Sequence, residues 1–284
     1  MAYHRIHKYT SIGRPLEPGF TSNKAVLMLM PLGAATGAVS SWMAGQTGFQ
    51  LFEQALVFLL VVFASWALAR ELDPDDHLAA FISMAVAVLA ALAVDEPGLL
   101  VVFATLGLVR IVNRSTGLVA RLSDSVICLI LALFVMYSTA SPYFGLVAAL
   151  AFILDGTLKE PLRHQWIFGL VSFGGTVVYM VDHDIGLGPV AAPDTLFEWL
   201  ALLFLLIFAL NTLLLKRVFS KGDVNGKALN LNRVRGGMAV GLLAALQGIM
   251  RPDDVVIIVA AIAGICIGMA FRKGFNAPVS NKES

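Results

Sequence analysis

The chain has 284 residues, 58% of them hydrophobic and only 14% charged, and its mean hydropathy is +0.81, whereas soluble domains carry roughly a quarter charged residues. The apolar residues fall in blocks of about 15–22, the length a bilayer-crossing helix needs, and the short turns between them leave no soluble domain for catalysis or nucleic-acid binding. A soluble globule is thereby excluded, and the formal net charge of +1 names no partner beyond the lipid bilayer.

Residues 1–24 are polar and basic and lack the pattern of a cleavable signal peptide, because the first span leads directly into another hydrophobic segment. Ten spans are expected, at roughly 25–45, 51–69, 78–94, 99–112, 122–138, 142–157, 166–181, 197–215, 236–250 and 255–271. They make an all-α integral membrane protein with one membrane domain over 25–273 and a short tail at 274–284. With the N-terminus inside, all of the 20 Lys and Arg residues except Arg251 fall on the cytoplasmic side, a strong positive-inside signal that places both termini in the cytoplasm. Short loops on both faces suggest a bacterial inner membrane. The tryptophans Trp42, Trp66, Trp166 and Trp199 lie near expected span ends, as an interfacial belt requires. Cys128 and Cys266 fall inside spans, so no disulfide framework or cysteine-based metal site is expected.

The first turn to carry a chemical question is the stretch Leu68–Phe81, LARELDPDDHLAAF, with four carboxylates in six residues. An Asp cap, a Pro at the first helical position and nearby acids are what a helix N-terminus favours. Acidic, proline-containing helix starts recur before other spans, so capping is the leading reading. The competing one is a cation or phosphate site at the cytoplasmic face using Glu71, Asp73, Asp76 and His77, joined by Asp155. No second acidic motif at fixed spacing accompanies it, and no cofactor is implied.

An internal repeat is expected next. MAVAVLAAL at 84–92 matches MAVGLLAAL at 238–246 without gaps, and LFEQALVFLLVVFA from Leu51 matches LFEWLALLFLLIFA from Leu196. The small-residue spans around Gly33 and Gly174 occupy the corresponding place before them. The matches are collinear and run in one direction, so spans 1–4 (25–112) would repeat as spans 7–10 (166–273), with 122–157 as a connecting hairpin and an axis along the membrane normal. Glu53 and Glu198 would then be equivalent and could face each other as a site or gate; each is also an acid near a helix start, where the macrodipole favours it.

Gly33, Gly37, Gly174 and Gly175 are expected to allow close helix approach, or to break helices around a substrate pathway at the midplane. Scattered polar residues such as Thr36, Ser172, Asn211 and Gln247 read as hydrogen-bonding groups between helices. The longest cytoplasmic loop, 216–237, bears six cations; contact with anionic lipid is expected, with Arg233 and Arg235 as the alternative phosphate ligands. No ionisable residue occupies the middle of a span, which argues against a buried proton relay. The function expected is therefore a small permease for a neutral, amphipathic or lipid-like solute. The alternatives are a non-catalytic membrane subunit of a larger complex and an enzyme acting on lipid phosphate at the cytoplasmic face, with an enzymatic role the less expected.

Overall fold

The structure, a computed structural model, describes residues 6–186, 193–247 and 252–274. Among them are ten helices and no strand: α1 Thr21–Met43, α2 Phe49–Leu72, α3 His77–Ala91, α4 Leu99–Asn113, α5 Leu122–Ser138, α6 Pro142–Thr157, α7 Gln165–Asp182, α8 Leu196–Leu214, α9 Leu231–Leu246 and α10 Pro252–Gly274. Arg5 and Arg251 of the charge count, Met250 of the turn before the last span, and tail residues 275–284 lie outside the described residues. The boundaries follow local chemistry. Asp76 caps α3 by accepting from the Ala79 N–H, and Asn230 accepts from Asn232 and Arg233 N–H, which starts α9 several residues inside the basic loop.

The protein is membrane-embedded. Four helices, α1, α2, α8 and the Val255–Arg272 part of α10, are long and apolar enough to cross a bilayer. The apolar helices α3 to α6 have 15–17 residues, about 23–26 Å of helix against a hydrocarbon core of about 30 Å. Hydropathy and position differ in the four long helices. The most apolar of these windows, in α10, is 78% buried inside the protein, whereas those of α1 and α8 are 22% and 17% buried. α10 packs against α2, α3, α4, α8 and α9, while α1 packs on α2 alone among its principal partners. Ile257, Ile258, Ile262 and Ile265 of α10 join Leu68, Leu72, Leu108, Ile111 and Met238 in the core.

Close approaches are made through small residues. A Cβ on Gly33 would stand 2.5 Å from Val62 Cγ2, and one on Gly37 would strike the Gln54 carbonyl, so the four-residue glycine spacing of α1 is a seam against α2. On the other side, Gly268 lies against Ala79, and Ser83 Oγ donates to the Ala261 carbonyl at 2.8 Å. Trp42, Trp166 and Trp199 are exposed near helix ends, whereas Trp66 is buried in the core and departs from the expected interfacial belt. Consecutive helices alternate in direction, which gathers the ends Leu72, Asn113, Thr157, Leu214 and Gly274 into one basic end of the bundle, opposite an end where acids and amides collect.

Candidate functional site

At the basic end each acid of the 68–81 stretch has a protein partner. Glu71, in the last turn of α2 with its side chain wholly buried, accepts from Arg14 Nη1 at 3.1 Å and Arg110 Nε at 2.9 Å. Asp75 accepts from the Phe219 and Ser220 N–H groups and from Ser220 Oγ, at 2.7–3.1 Å. Asp76 caps α3 and faces Arg272 Nη1 at 3.4 Å. Asp73 lies 3.8 Å from Arg272 Nη2. Burial pushes the Asp73 carboxyl up to about 6, with Arg272 pulling it down and Asp76 and Asp75 adding to the rise. His77 Nδ1 meets Arg70 Nη1 at 2.8 Å. Among the described residues, no three His, Cys, Asp or Glu side chains form a group able to hold a metal ion.

Asp155 belongs to a separate cluster. Its side chain is wholly buried between Arg114 Nη2, 2.7 Å away, and Arg233 Nη1, 2.6 Å away. Arg233 spends its remaining donors on carbonyls: Nε and Nη2 on Lys159 O, and Nη1 also on Val112 O. Arg235 Nη2 donates to Leu213 O and Leu215 O at the end of α8. Both arginines thus satisfy the orphan carbonyls of helix C-termini, where the dipole favours a cation. Arg110 and Arg114 are one turn apart at the end of α4, so the clusters of Glu71 and Asp155 are neighbours with different arginines. Around them Ser115 hydrogen-bonds to Glu71, while Asn113 Oδ1 and Asp155 Oδ2 are buried with no hydrogen-bond partner among the described residues.

A covering of irregular chain closes this end. Ser11 donates its N–H and its Oγ to Asp124 Oδ2, at 2.8 and 2.5 Å, and Thr116 Oγ1 donates to Ser11 O. Arg14 forks onto Asp223, Nε to Oδ2 at 2.6 Å and Nη2 to Oδ1 at 2.8 Å. The two carboxylates of Glu71 and Asp223 outweigh the opposing effect of burial and raise the Arg14 pKa. The 215–230 loop docks through Val224 N–H to Thr116 O and Asn225 Nδ2 to Gly117 O. Gly117 has φ +80 and a Cβ there would strike the Asn225 side chain, while one on Gly222 would stand 2.7 Å from Gly117 Cα.

The opposite end is open. A pocket of about 520 Å³ is bounded by the start of α2, the 95–98 turn, the start of α4 and the end of α5. Its polar lining includes Gln46, Gln50, Glu53, Gln54, Asp95 and Glu96, and its apolar lining Val57, Pro97, Leu99, Leu100 and Val101. Glu53 thus faces a cavity. Glu198 does not share it: its Oε2 accepts from Asp194 and Thr195 N–H while Thr195 Oγ1 accepts from Glu198 N–H, a capping box that starts α8. Helices α2 and α8 share no packed interface. Gly33 and Gly37 are buried in the α1–α2 seam, whereas a Cβ on Gly174 would meet nothing within 4 Å and one on Gly175 only Leu133 at 3.5 Å.

Sequence reasoning passed over Arg14, Asp75, Arg110 and Arg114. A signal was present at Arg110 and Arg114, two cations four residues apart at a span end, although Arg114 is the left-handed cap beyond the helix. Nothing local announced that Arg14 and Asp223, separated by most of the chain, would meet. Compared with protein-family models, with curated proteins and with solved structures, the chain matches none.

Proposed function

We propose that this chain is a small carrier with ten spans and both termini on the cytoplasmic side of a bacterial inner membrane. The observation that carries the reading is the contrast between the ends of the bundle: a polar pocket of about 520 Å³ at one, and buried ion pairs under a docked covering at the other. A carrier closed on one side and open on the other presents this asymmetry. The basic end is the cytoplasmic one by the positive-inside rule. Glu53, Asp95 and Glu96 beside three glutamines favour a solute rich in hydrogen-bond donors, a different class from the neutral, amphipathic or lipid-like solute expected from the sequence. Glu53 is the pathway residue to bet on; Gly33 and Gly37 fix α1 against α2, while Gly174 and Gly175 leave α7 a face along which it could shift.

A same-direction repeat gains support from packing. α2 contacts α3 and α4 as α8 contacts α9 and α10, and α3 lies on α10 as α9 lies on α4. The outer helices break the pattern, since α1 packs on α2 but α7 packs on α5 and α6. Lys216, Arg217, Lys221 and Lys227 are exposed on the 215–230 loop and are the cations proposed to meet anionic lipid.

The test is single-cysteine labelling with a small membrane-impermeant thiosulfonate, on a background with Cys128 and Cys266 replaced by Ala. Cysteines at Glu53 and Val57 should label from the outside. Silence at Val57 and Val101 from both sides would leave only a surface dimple and end the carrier reading.

A further inference from the structure

We infer that the N-terminal segment 6–20 and the 215–230 loop form one latch over the basic end, clasped by Arg14, and that it opens as a unit. Neither piece holds itself in place. The segment is fixed by bonds to other elements: Ser11 to Asp124, Arg121 Nη2 to His7 O, Arg110 Nη1 to Ile12 O and Arg14 to Glu71. The loop is fixed by Asp75 from below and by the 115–117 turn from the side. The two pieces meet at the Arg14–Asp223 fork, whose side chains are 23% and 24% exposed. Each piece also has turn bonds of its own, Thr10 N–H to Ile6 O in the segment and Leu229 N–H to Ser220 O in the loop, so each comes away as a unit once its outward bonds break.

What lies beneath gives the latch its purpose. A permanently closed end would be held at least as well by apolar packing, because burying ion pairs costs desolvation that their attraction barely repays. Here Glu71 and Asp155 are buried with four arginines, and Asn113 Oδ1 and Asp155 Oδ2 accept no hydrogen bond from the described residues. Buried polar atoms in a native protein are nearly always bonded; these would find partners in water once the latch lifts. The latch's role as the cytoplasmic gate rests on the carrier reading.

Hydrogen exchange read by mass spectrometry, on the full chain in lipid nanodiscs without solute or gradient, tests the coupling. Asp223→Asn weakens the fork yet leaves Arg14 on Glu71. Asp75→Ala frees the loop at a point that does not touch the N-terminal segment. Either substitution should speed exchange in both 6–16 and 215–230, by about two- to fivefold for the partly exposed fork, with the α3–α10 pair unchanged as the folding control. If Asp75→Ala loosens only 215–230 and the Ser11 N–H keeps its original rate, there is no single latch. Coupled exchange together with silent Val57 would sink the carrier and leave the latch; labelled Val57 with uncoupled exchange would do the reverse.

Discussion

Helix α2 carries a glutamate near each end, and the two have opposite surroundings. Glu53 lies near the positive end of the helix dipole, exposed, lining a pocket, and makes no ion pair among the described residues. Glu71 lies in the last turn, against the negative end, with its side chain wholly buried and two arginines on one oxygen. The dipole favours a carboxylate at the first place and opposes it at the second, and burial adds a desolvation cost there. Glu71 can stay ionised only because Arg14 and Arg110 are brought to it from remote parts of the chain. One acid is free to serve a ligand; the other is part of what closes the protein.

The largest effect expected is at Glu71. Glu71→Ala should lower stability by about 3–5 kcal/mol, the cost of leaving buried charge uncompensated. Glu53→Gln should stay within about 0.5 kcal/mol, as surface changes do. Thermal unfolding of both variants in one detergent checks the pair, and equal losses would erase the contrast between the ends. Asp73 sets the next test. Its folded pKa, about 6, lies above the ordinary carboxylate value, so the folded chain holds this proton more tightly than the unfolded one. Its contribution to stability is present at low pH and is lost as pH rises through about 4 to 6. Asp73→Asn should therefore gain at most about 3 kcal/mol at pH 7, a gain that shrinks as the melts are repeated toward pH 4.5. A gain independent of pH would assign the effect to something other than this proton.

The helices were legible because hydrophobic blocks and polar turns are local properties. All ten blocks became helices, but the cap of α3 fell on Asp76, three residues beyond the Asp73–Pro74 start that the acid-proline pattern suggested. The boundary of α9 was misjudged because Asn230 caps the helix inside a stretch that reads as polar loop. Burial was harder to read. The chain gives α10 and α8 similar apolar character, yet one is the centre of the bundle and the other its edge, since lipid and protein interior are alike to a leucine. The acids of the 68–81 stretch were visible, but their partners Arg14, Phe219, Ser220 and Arg272 are fixed by tertiary contacts that no local spacing encodes. The same holds for Glu53: its sequence match to Glu198 was visible, and the pocket beside one and the capping box beside the other were not.

The glycines carry the comparison into the seams and give the smaller effects. Gly37→Ala would press a methyl group into the Gln54 carbonyl and Phe58 Cβ, where backbone cannot yield, and a loss of about 1–3 kcal/mol is expected from the overpacking. Gly174→Ala meets open space and removes a helical glycine, so it should be neutral or gain up to about 1 kcal/mol. The two substitutions add the same methyl group to two small-residue helices at matching places in the proposed repeat. Opposite signs in thermal unfolding would mean that α1 is held rigidly on α2 while α7 keeps a loose face, in line with α7 packing elsewhere than on α8. A large loss at Gly174 instead would require a partner against that face, and α7 would then have to be counted with the closely packed seams.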